Sequence, residues 1–369
     1  MLFWVILLGA LMIGALLGMV YLVTRFHRFE HIKRLAQEHK VLSWAVSALP
    51  VAAVLGLSVI NTYASVIVLL HMMLFWALCD LGARIIGRIR RSDKQGRHYY
   101  AGIAALAVSA VYLGAGWFFA HHVYETRYEL STDKPLPDGH LRAAVIADSH
   151  LGITLDGEGF ARQTERIKSA EPEVLFIVGD FVDDESCRAD MVTACKSLGE
   201  LDRELRYGVI YVDGNHDKGY GDYRDFTIDE LYSELEANGV SVLRDETVSL
   251  DGINIVGRND KSDDERKDIA ELMADIDTEG YTIVLDHQPN DYDNEASAGA
   301  DLVLSGHTHG GHIFPAGFVG TLSGINDRIY GMEVRGGTTF IVTSGISGWA
   351  IPFKTGCISE YLMIDINNS

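Results

Sequence analysis

Four long apolar runs dominate the first third of the sequence. They cover residues 2–23, 41–60, 64–86 and 101–120. Each is close to the roughly 20 residues that a helix needs to cross the hydrocarbon core of a bilayer. A buried bundle in a soluble protein is the alternative, but four such lengths in series are hard to enclose in a soluble core. The pattern therefore predicts a four-helix transmembrane region over residues 1–124.

After residue 124 the pattern changes to short Val- and Ile-rich runs that alternate with amphipathic stretches. The runs typical of strands are 141–147, 174–178, 209–212, 240–243, 253–256, 282–285, 302–304, 338–343 and 360–366. The stretches typical of helices are 162–170, 189–198, 228–237 and 264–276. This mixture predicts an α/β sandwich, in which helices flank two β-sheets in an αββα arrangement. Segment 125–140 is polar, contains Pro135 and Pro137, and is predicted to be a linker before a domain at 141–369.

The charge is divided unequally between the two parts of the chain. Residues 1–121 carry eleven Lys and Arg but four Asp and Glu, a net charge of +7, so the whole-chain value of −20 leaves −27 for the rest. An acidic surface repels the phosphates of nucleic acids, and no nucleic-acid partner is expected. The basic residues of the first part lie in 25–40 and 84–97, and the positive-inside rule places both segments in the cytoplasm. With four spans, everything after His121 is predicted to be extracytoplasmic in a multi-pass protein of the cell membrane.

Five short segments with metal-ligand residue types occur in the second part. They are Asp148-Ser149-His150, Gly179-Asp180-Phe181-Val182-Asp183, Gly214-Asn215-His216-Asp217, Asp286-His287 and Gly306-His307-Thr308-His309-Gly310-Gly311. Each one closely follows an apolar run that is predicted to be a strand. Because sites of α/β proteins collect at the carboxyl ends of strands, the five loops are expected to converge on one rim. Together they supply enough carboxylate, imidazole and amide ligands for two adjacent divalent metals, an arrangement suited to displacement at phosphorus.

These segments resemble the signature of the calcineurin-like metallophosphoesterase superfamily, which reads D-x-H, G-D-x-x-D, G-N-H-D/E, a lone His and G-H-x-H. The resemblance extends over about 141–369. The paired glycines after His309, with the later segment 344–348 and Pro352, are similar to a membrane-linked bacterial phosphodiesterase branch. His312 and Lys354 stand near the places where that branch often carries Gln and Arg.

The resemblance implies two metal sites that share one carboxylate. The first metal would be held by Asp148, His150, Asp180 and His309, and the second by Asp180, Asn215, His287 and His307. Manganese is the first choice for both divalent ions, with iron or zinc as alternatives.

The resemblance also implies three catalytic or supporting residues that do not bind metal. His216 would protonate the leaving oxygen or steady the phosphoryl oxygens. Asp217 would orient His216, since a carboxylate commonly fixes the tautomer of a histidine. Asp183 would not bind metal but would contact the ligand His150.

The predicted function is that of a multi-pass membrane metal-dependent phosphoesterase. Two divalent metals would activate a water for attack on a phosphodiester, pyrophosphate or phosphomonoester that belongs to a lipid headgroup or a cell-envelope metabolite. Its partners would be the lipid bilayer and this phosphorylated small-molecule or lipid substrate, while the oligomeric state stays open. The alternative is a catalytically silent membrane sensor or scaffold that binds a phosphorylated ligand through the dimetal site. The intact His216 disfavours that alternative, because a binding module needs no acid for a leaving group.

Some charged residues outside the five segments admit two interpretations. Arg258 or Lys354 could meet substrate phosphate, although an exposed loop position is the more common role for such residues. His312 is more typical of a surface residue than of a ligand.

His71 and Asp80 lie within the third apolar run, where helix packing explains two isolated polar residues better than a transport path does.

Two further groups of side chains are also ambiguous in the sequence. Trp349, Ile351 and Phe353 could form an apolar lip toward lipid or belong to the core. Cys187 and Cys195 could pair in an oxidising compartment, but on a single helix their spacing is too long for a disulfide. Free thiols are therefore the favoured prediction.

Overall fold

The computed structural model describes residues 2–90, 98–221 and 223–369. Residues 91–97, part of the second basic segment predicted from the sequence, lie outside the described residues. The chain divides into two compact units, Met1–Gly116 and Trp117–Ser369. We call them the helical unit and the α/β unit.

The helical unit is built from long apolar helices. They are α1 (Leu2–Phe26), α2 (Glu30–Glu38), α3 (Lys40–Gly56), α4 (Thr62–Ile89) and α5 (Tyr100–His121). The final residues of α5, 117–121, belong to the α/β unit. Helices α1, α3, α4 and α5 contain or overlap the stretches that are long and apolar enough to cross a membrane, and they coincide with the four predicted runs. The short α2, which the sequence pattern did not predict, lies in the first basic segment.

His71 and Asp80, the two polar residues singled out in the third predicted run, make contacts within the helical unit. The buried Asp80 carboxylate accepts hydrogen bonds from Tyr99 Oη at 2.6 Å and Arg28 Nη1 at 3.0 Å. Arg25 Nε lies 3.3 Å from the same carboxylate. His71 Nδ1 lies 2.8 Å from the backbone carbonyl one turn earlier, to which it can donate. Contacts of this kind are those expected of residues that serve helix packing.

Two mixed six-stranded sheets form the centre of the α/β unit. Their strands are β1 (Val123–Thr132), β2 (His140–Ile146), β3 (Val174–Val178), β4 (Val209–Val212), β5 (Ser241–Val242), β6 (Glu246–Leu250), β7 (Ile253–Gly257), β8 (Thr282–Leu285), β9 (Leu302–Ser305), β10 (Gly331–Arg335), β11 (Thr338–Val342) and β12 (Ser359–Asn368). Sheet A has the order β1-β12-β2-β3-β4-β5, and sheet B has the order β10-β11-β9-β8-β7-β6. Strands β2, β3 and β4 are parallel neighbours, as are β7, β8 and β9. Within each set the carboxyl ends therefore lie at the same edge of the sheet.

Helices α6 (Gly157–Lys168), α7 (Arg188–Asp202) and α8 (Ile228–Ala237) cover the outer face of sheet A. Helices α9 (Ile269–Met273) and α10 (Tyr292–Ala298) cover that of sheet B, while α11 (Ala316–Ser323) contacts the turn 309–311. Alternation along β3 illustrates the layering, because Leu175 and Ile177 pack toward α6–α8 while Phe176 packs between the sheets. A third apolar cluster joins sheet B to α9 and α10. The prediction that an apolar helical region is followed in the sequence by an αββα sandwich is thus confirmed.

The prediction of a linker at 125–140 is wrong for most of that segment. Residues 123–132 form β1, which pairs in parallel with β12 along its whole length. From residue 127 to 132 only every second side chain of β1 turns toward the protein, as with Tyr128 and Leu130 against the core between the sheets. A strand of this kind contains too many polar residues to stand out as an apolar run.

The predicted helix at 264–276 is also largely wrong, since α9 spans only Ile269–Met273. Lys267 N instead donates to Asp245 Oδ2 at 2.8 Å, and Arg266 Nη2 pairs with Asp286 Oδ2 at 2.5 Å. These contacts hold the charged residues in a loop because backbone and side-chain partners outside the helix compete with helical hydrogen bonds.

The two cysteines of the ambiguous pair are free thiols, as favoured from their spacing. Cys187 is exposed at the N-cap of α7, and Cys195 is buried within the same helix.

Candidate metal centre

The five ligand segments lie at the carboxyl ends of five strands, as expected. Three of them follow β2, β3 and β4 in sheet A, and two follow β8 and β9 in sheet B. Neighbouring loops are joined by backbone hydrogen bonds beyond the strands. His150 N donates to the Asp180 carbonyl at 3.1 Å, and Gly306 N donates to the His287 carbonyl at 3.0 Å. Each sheet therefore presents a continuous rim.

Two side-chain contacts join the rim of sheet A to the rim of sheet B. The Asp148 carboxylate accepts the backbone N–H of His307 at 2.9 and 3.2 Å. His287 Nδ1 lies 2.8 Å from the carbonyl of Val178, to which it can donate. That hydrogen bond orients the ring and, in the neutral imidazole, leaves Nε2 free of hydrogen, the form in which an imidazole coordinates a metal.

The first predicted ligand set is brought together in the structure. Asp148, His150 and His309 offer ligand atoms that all lie within 4.8 Å of one another. The Nε2 atoms of His150 and His309 are 3.1 Å apart, and His309 Nε2 is 3.5 Å from Asp148 Oδ1. All three residues are buried.

The second predicted ligand set lies beside the first. Asp180, His287 and His307 form another group whose ligand atoms lie within 4.8 Å of one another. Asp180 Oδ2 is 3.0 Å from His287 Nε2 and 3.7 Å from His150 Nε2, so one oxygen stands between the two groups. A carboxylate in that position is able to bridge two cations.

Asn215 fits the second set through its amide oxygen. Its Nδ2 donates to Tyr220 Oη at 2.7 Å. Its Oδ1 is buried and has no hydrogen-bond partner among the described residues. Because a buried acceptor without a partner costs free energy, this oxygen is suited to a ligand that the protein side chains do not supply.

The carboxylate of Asp183 lies between two histidines. Its Oδ2 is 2.9 Å from His150 Nδ1, and its Oδ1 is 3.2 Å from His216 Nδ1. The contact with His150 is the one predicted from the resemblance. Burial opposes ionisation of Asp183, but the imidazoles of His150 and His216 bring its pKa below the ordinary value. Asp183 raises the pKa of His216 against the opposing effect of burial.

The expectation that Asp217 orients His216 is wrong, because Asp183 holds that position. The two oxygens of Asp217 accept the backbone N–H groups of Val182 at 2.9 Å and Gly214 at 2.8 Å. Burial, aided by the charge of Asp180, raises the pKa of Asp217 to about 7. Its contacts tie the loop after β3 to the loop after β4, so Asp217 shapes the rim without facing the imidazole.

The electrostatics of the site favour cations. Asp148, Asp180 and Asp183 are buried, and no Lys or Arg side chain that the structure describes forms an ion pair with any of them. Burial raises the pKa of Asp148 to about 6, and the nearby charge of Asp180 adds to the rise. Crowding buried carboxylates without permanent positive charge is unfavourable unless a cation compensates.

Two of the imidazoles are neutral at ordinary pH. Burial lowers the pKa of His307 to about 4, and the neighbouring His287 adds to that shift. Burial also lowers the pKa of His309 well below its usual value. A neutral imidazole is the form that binds metal, so the oxygen and nitrogen donors present fit divalent ions of the manganese, iron and zinc type.

The backbone of the site is strained. Five of the predicted ligand residues have positive φ angles, and they are Asp148, His150, Asp180, His307 and His309. Residues other than glycine rarely occupy this region, and such strain concentrates at functional sites. Gly179, with φ of +78°, leaves room for the His287 ring, which a Cβ would meet.

Arg258 and Lys354 are not available to a substrate. Arg258 is buried and pairs with Asp286 and Asp291 at 2.8 Å each. Lys354 is fully buried, and its Nζ donates to the carbonyls of Ser344 at 2.6 Å, Gly345 at 3.0 Å and Ile358 at 3.3 Å. Neither the predicted phosphate contact nor the exposed loop position is correct, because both cations stabilise loops from inside.

Three residues at the opening of the site had no assigned role or a different one. His312, expected at the surface, is half-buried and stacks on His309 with ring centroids 5.3 Å apart. Trp349 is 42% exposed, and its ring centroid is 5.5 Å from that of His216, while Ile351 is buried in the core.

Tyr220, which the sequence did not single out, has its ring centroid 5.1 Å from that of His216. Its position three residues after Asp217 was the one signal available.

The comparison with protein families gives one match. Residues 141–311 match the family described as calcineurin-like phosphoesterase. The matched region begins with β2 and ends just after His309, so it includes all five ligand segments.

Three relatives show how far the similarity extends. The chain is 31% identical to an uncharacterized metallophosphoesterase of Aquifex aeolicus over 62% of this chain and 85% of that protein. It is 32% identical to one of Helicobacter pylori over 60% of this chain, but the match spans only 59% of that relative. It is 27% identical to a transmembrane protein with metallophosphoesterase domain from Danio rerio, over 84% of this chain and 72% of that protein.

Proposed function

The chain belongs to the calcineurin-like phosphoesterase family, and on that premise we propose that it is a membrane enzyme that hydrolyses phosphate esters at a two-metal centre. One observation carries the proposal: Asp180 Oδ2 lies between the group Asp148, His150 and His309 and the group that includes His287 and His307. Two adjacent ligand sets that share one carboxylate oxygen match the chemistry of in-line displacement at phosphorus.

Each set would hold one divalent cation. Asp148, His150, Asp180 and His309 would bind the first, and Asp180, Asn215, His287 and His307 the second. Manganese is the first candidate, with iron or zinc as alternatives, since the donors are oxygen and imidazole nitrogen without thiolate. When bound, the two cations would acidify a water and neutralise charge on the phosphoryl oxygens.

The residues of the chain would then position the reacting groups. His216 would donate a proton to the leaving oxygen, with Asp183 holding its Nδ1 side. Asp183 would also steady His150 and so couple the proton donor to the first site. Asp217 would keep the loops after β3 and β4 in register through two backbone N–H groups.

The substrate class follows from the membrane location. Four apolar helices and a transmembrane relative indicate a membrane protein. We propose a phosphodiester as the principal substrate, with a pyrophosphate or phosphomonoester as alternatives, in a lipid headgroup or an envelope metabolite. The basic segments of the helical unit favour an extracytoplasmic α/β unit. The orientation would be contradicted if a reporter that functions only in the cytoplasm were active when fused to the C-terminus.

The test uses the purified full chain and a soluble nitrophenyl phosphodiester in the presence of Mn²⁺. We expect hydrolysis by the wild type and its loss in Asn215→Ala, because that variant removes the amide ligand of the second site. Asn294→Ala is the matched control, since the exposed Asn294 lies in α10 and its Nδ2 donates to the N-cap residue Asp291. Full activity of Asn215→Ala would overturn the metal assignment, and an inactive wild type that still binds two metals and phosphate would favour the sensor alternative.

A further inference from the structure

An uncharged apolar segment lies in the α/β unit after the last ligand histidine. Residues 313–326 contain no Asp, Glu, Lys or Arg, although the part of the chain beyond residue 121 has a net charge of −27. The segment includes α11. Leu322 is 87% exposed, and Val319 and Ile325 are 41% and 49% exposed.

The exposure of apolar side chains is concentrated near this segment. Among the side chains that the structure describes beyond residue 121, all but three of the exposed large apolar ones lie between Phe314 and Trp349. The three exceptions are Val192 on α7 and the pair Tyr220 and Tyr223 in the loop after β4. Single exposed apolar residues need no explanation, but a concentration of them marks a contact surface.

The apolar segment is attached to the metal centre. A Cβ on Gly311 would lie 2.7 Å from Gly317 Cα, so α11 packs directly on the turn that follows His309. Thr308 Oγ1, between the two ligand histidines, donates to the Ile329 carbonyl at 2.6 Å. Whatever covers the apolar segment is therefore next to the opening of the site.

The α/β unit itself includes the end of a candidate membrane span. Residues 117–121 of α5 belong to this unit, and the stretch Tyr100–His121 is apolar enough to cross a bilayer. Trp117 and Phe118 are 51% and 47% exposed there, as expected of aromatic residues at a membrane interface. Only His122 separates α5 from β1, so the covalent chain keeps this unit at the bilayer surface.

We propose that the segment 313–326 inserts into the interface of the lipid bilayer and that the phosphoester reaches the metal centre while still attached to a lipid. The bilayer is the occupant that the observations favour, because transfer of an uncharged surface with an exposed Leu322 from water to acyl chains is favourable. The insertion stands by itself, and the delivery of a lipid substrate rests on the proposed function.

The insertion is tested with a nitroxide label on the full chain in vesicles. The background Cys187→Ser removes the cysteine that is exposed among the described residues, and the label is placed at Leu322→Cys or, as control, at the exposed Val192→Cys on α7. We expect the label at 322 to be relaxed by oxygen more than by a water-soluble nickel chelate, and the label at 192 to show the reverse. Equal access of the nickel chelate to both positions would overturn the insertion. Spin–spin broadening at 322 would identify a second copy as the occupant and would overturn it as well.

The delivery is tested by activity on two substrates. Leu322→Asp should lower hydrolysis of a vesicle-borne phospholipid by about tenfold, because it removes an apolar contact with the bilayer, and leave the soluble diester unaffected. Val192→Asp should change neither. An equal loss on both substrates would contradict delivery, since it would mean damage to the fold. Failure of the wild type on the soluble diester would refute the proposed function while leaving the labelling result intact.

Discussion

Asp80 in the helical unit and Asp180 in the α/β unit are both buried acids, and their surroundings differ in kind. Asp80 is compensated within the chain by Arg25 and Arg28, whose charge is permanent. Asp180 faces the imidazoles of His287 and His150, which carry charge only when protonated. The charge of the first carboxylate is compensated by permanent cations of the chain, whereas the charge of the second is opposed only by imidazoles, which must give up their proton to bind a metal.

The difference separates structural polar groups from functional ones. A buried charge that has guanidinium partners stabilises one helix arrangement and offers nothing to a substrate. Asp180 instead lies among imidazoles, in a site where Asn215 Oδ1 has no hydrogen-bond partner among the described residues, and such a site is suited to a ligand. Four experiments measure this contrast.

The largest effect should follow from removal of the shared carboxylate. Asp180→Ala takes away the oxygen between the two ligand sets, and we expect a loss of at least about a thousandfold in diester hydrolysis together with a loss of bound metal. Elemental analysis of the purified protein measures the metal. The control is Asp80→Ala, which should keep the metal content of the folded protein. Equal metal loss in the two variants would contradict the assignment of Asp180, and not Asp80, as a metal ligand.

The second experiment separates chemistry from metal binding. His216→Ala should retain both metals but lower kcat by about a hundredfold, because the proton donor to the leaving oxygen is gone. Measuring kcat and metal content on the same preparation distinguishes proton donation from metal binding. The control is His140→Ala, at the exposed start of β2. If His216→Ala also empties the site, the residue acts as a ligand and the assigned role is incorrect.

The third experiment removes the cations. Chelation should destabilise the loops at 179–183 and 214–217 by about 2.7 kcal/mol if the metal was present at a hundred times its Kd. It should leave α4, which contains Asp80, unchanged. Hydrogen exchange followed by mass spectrometry resolves the two regions in one sample. Unaltered protection of both loops after chelation would mean that no ligand compensates Asp180.

The smallest effect concerns the hydrogen bond that orients Asn215. Tyr220→Phe removes the acceptor of Asn215 Nδ2 and should weaken one metal site by about fivefold, since one hydrogen bond contributes about 1 kcal/mol. Metal titration should detect weakening in one site of two, with activity restored at high metal concentration. Tyr223→Phe, at an exposed residue of the same loop, should have no effect. A loss that excess metal cannot restore would assign Tyr220 to the substrate instead.

The sequence predicted the buried strands and missed strands at the edges of the sheets. β2, β3, β4, β8 and β9 read as continuous Val and Ile runs because both of their faces are covered. The missed strands β1, β6 and β10 are all edge strands. A strand with one open edge and one exposed face carries polar residues, so its pattern resembles that of a loop.

The same limit applies to the site. The five segments predicted which side chains meet, because strand ends in one sheet lie at one rim. They did not predict that Asp183 would contact His216 in place of Asp217, nor that Lys354 would bind three backbone carbonyls. Such choices depend on sub-ångström positions of loops that are distant in sequence.

Strand β12 has a consequence for how the protein is made. It lies between β1 and β2 in sheet A, although it is the last strand in chain order. During translation β2 leaves the ribosome long before its partner, so the edge that will bind Leu362 and Ile364 stays open. Open apolar edges recruit foreign strands. A nonsense mutation just before Ser359 would thus spare every ligand segment and still give aggregates instead of a shorter enzyme.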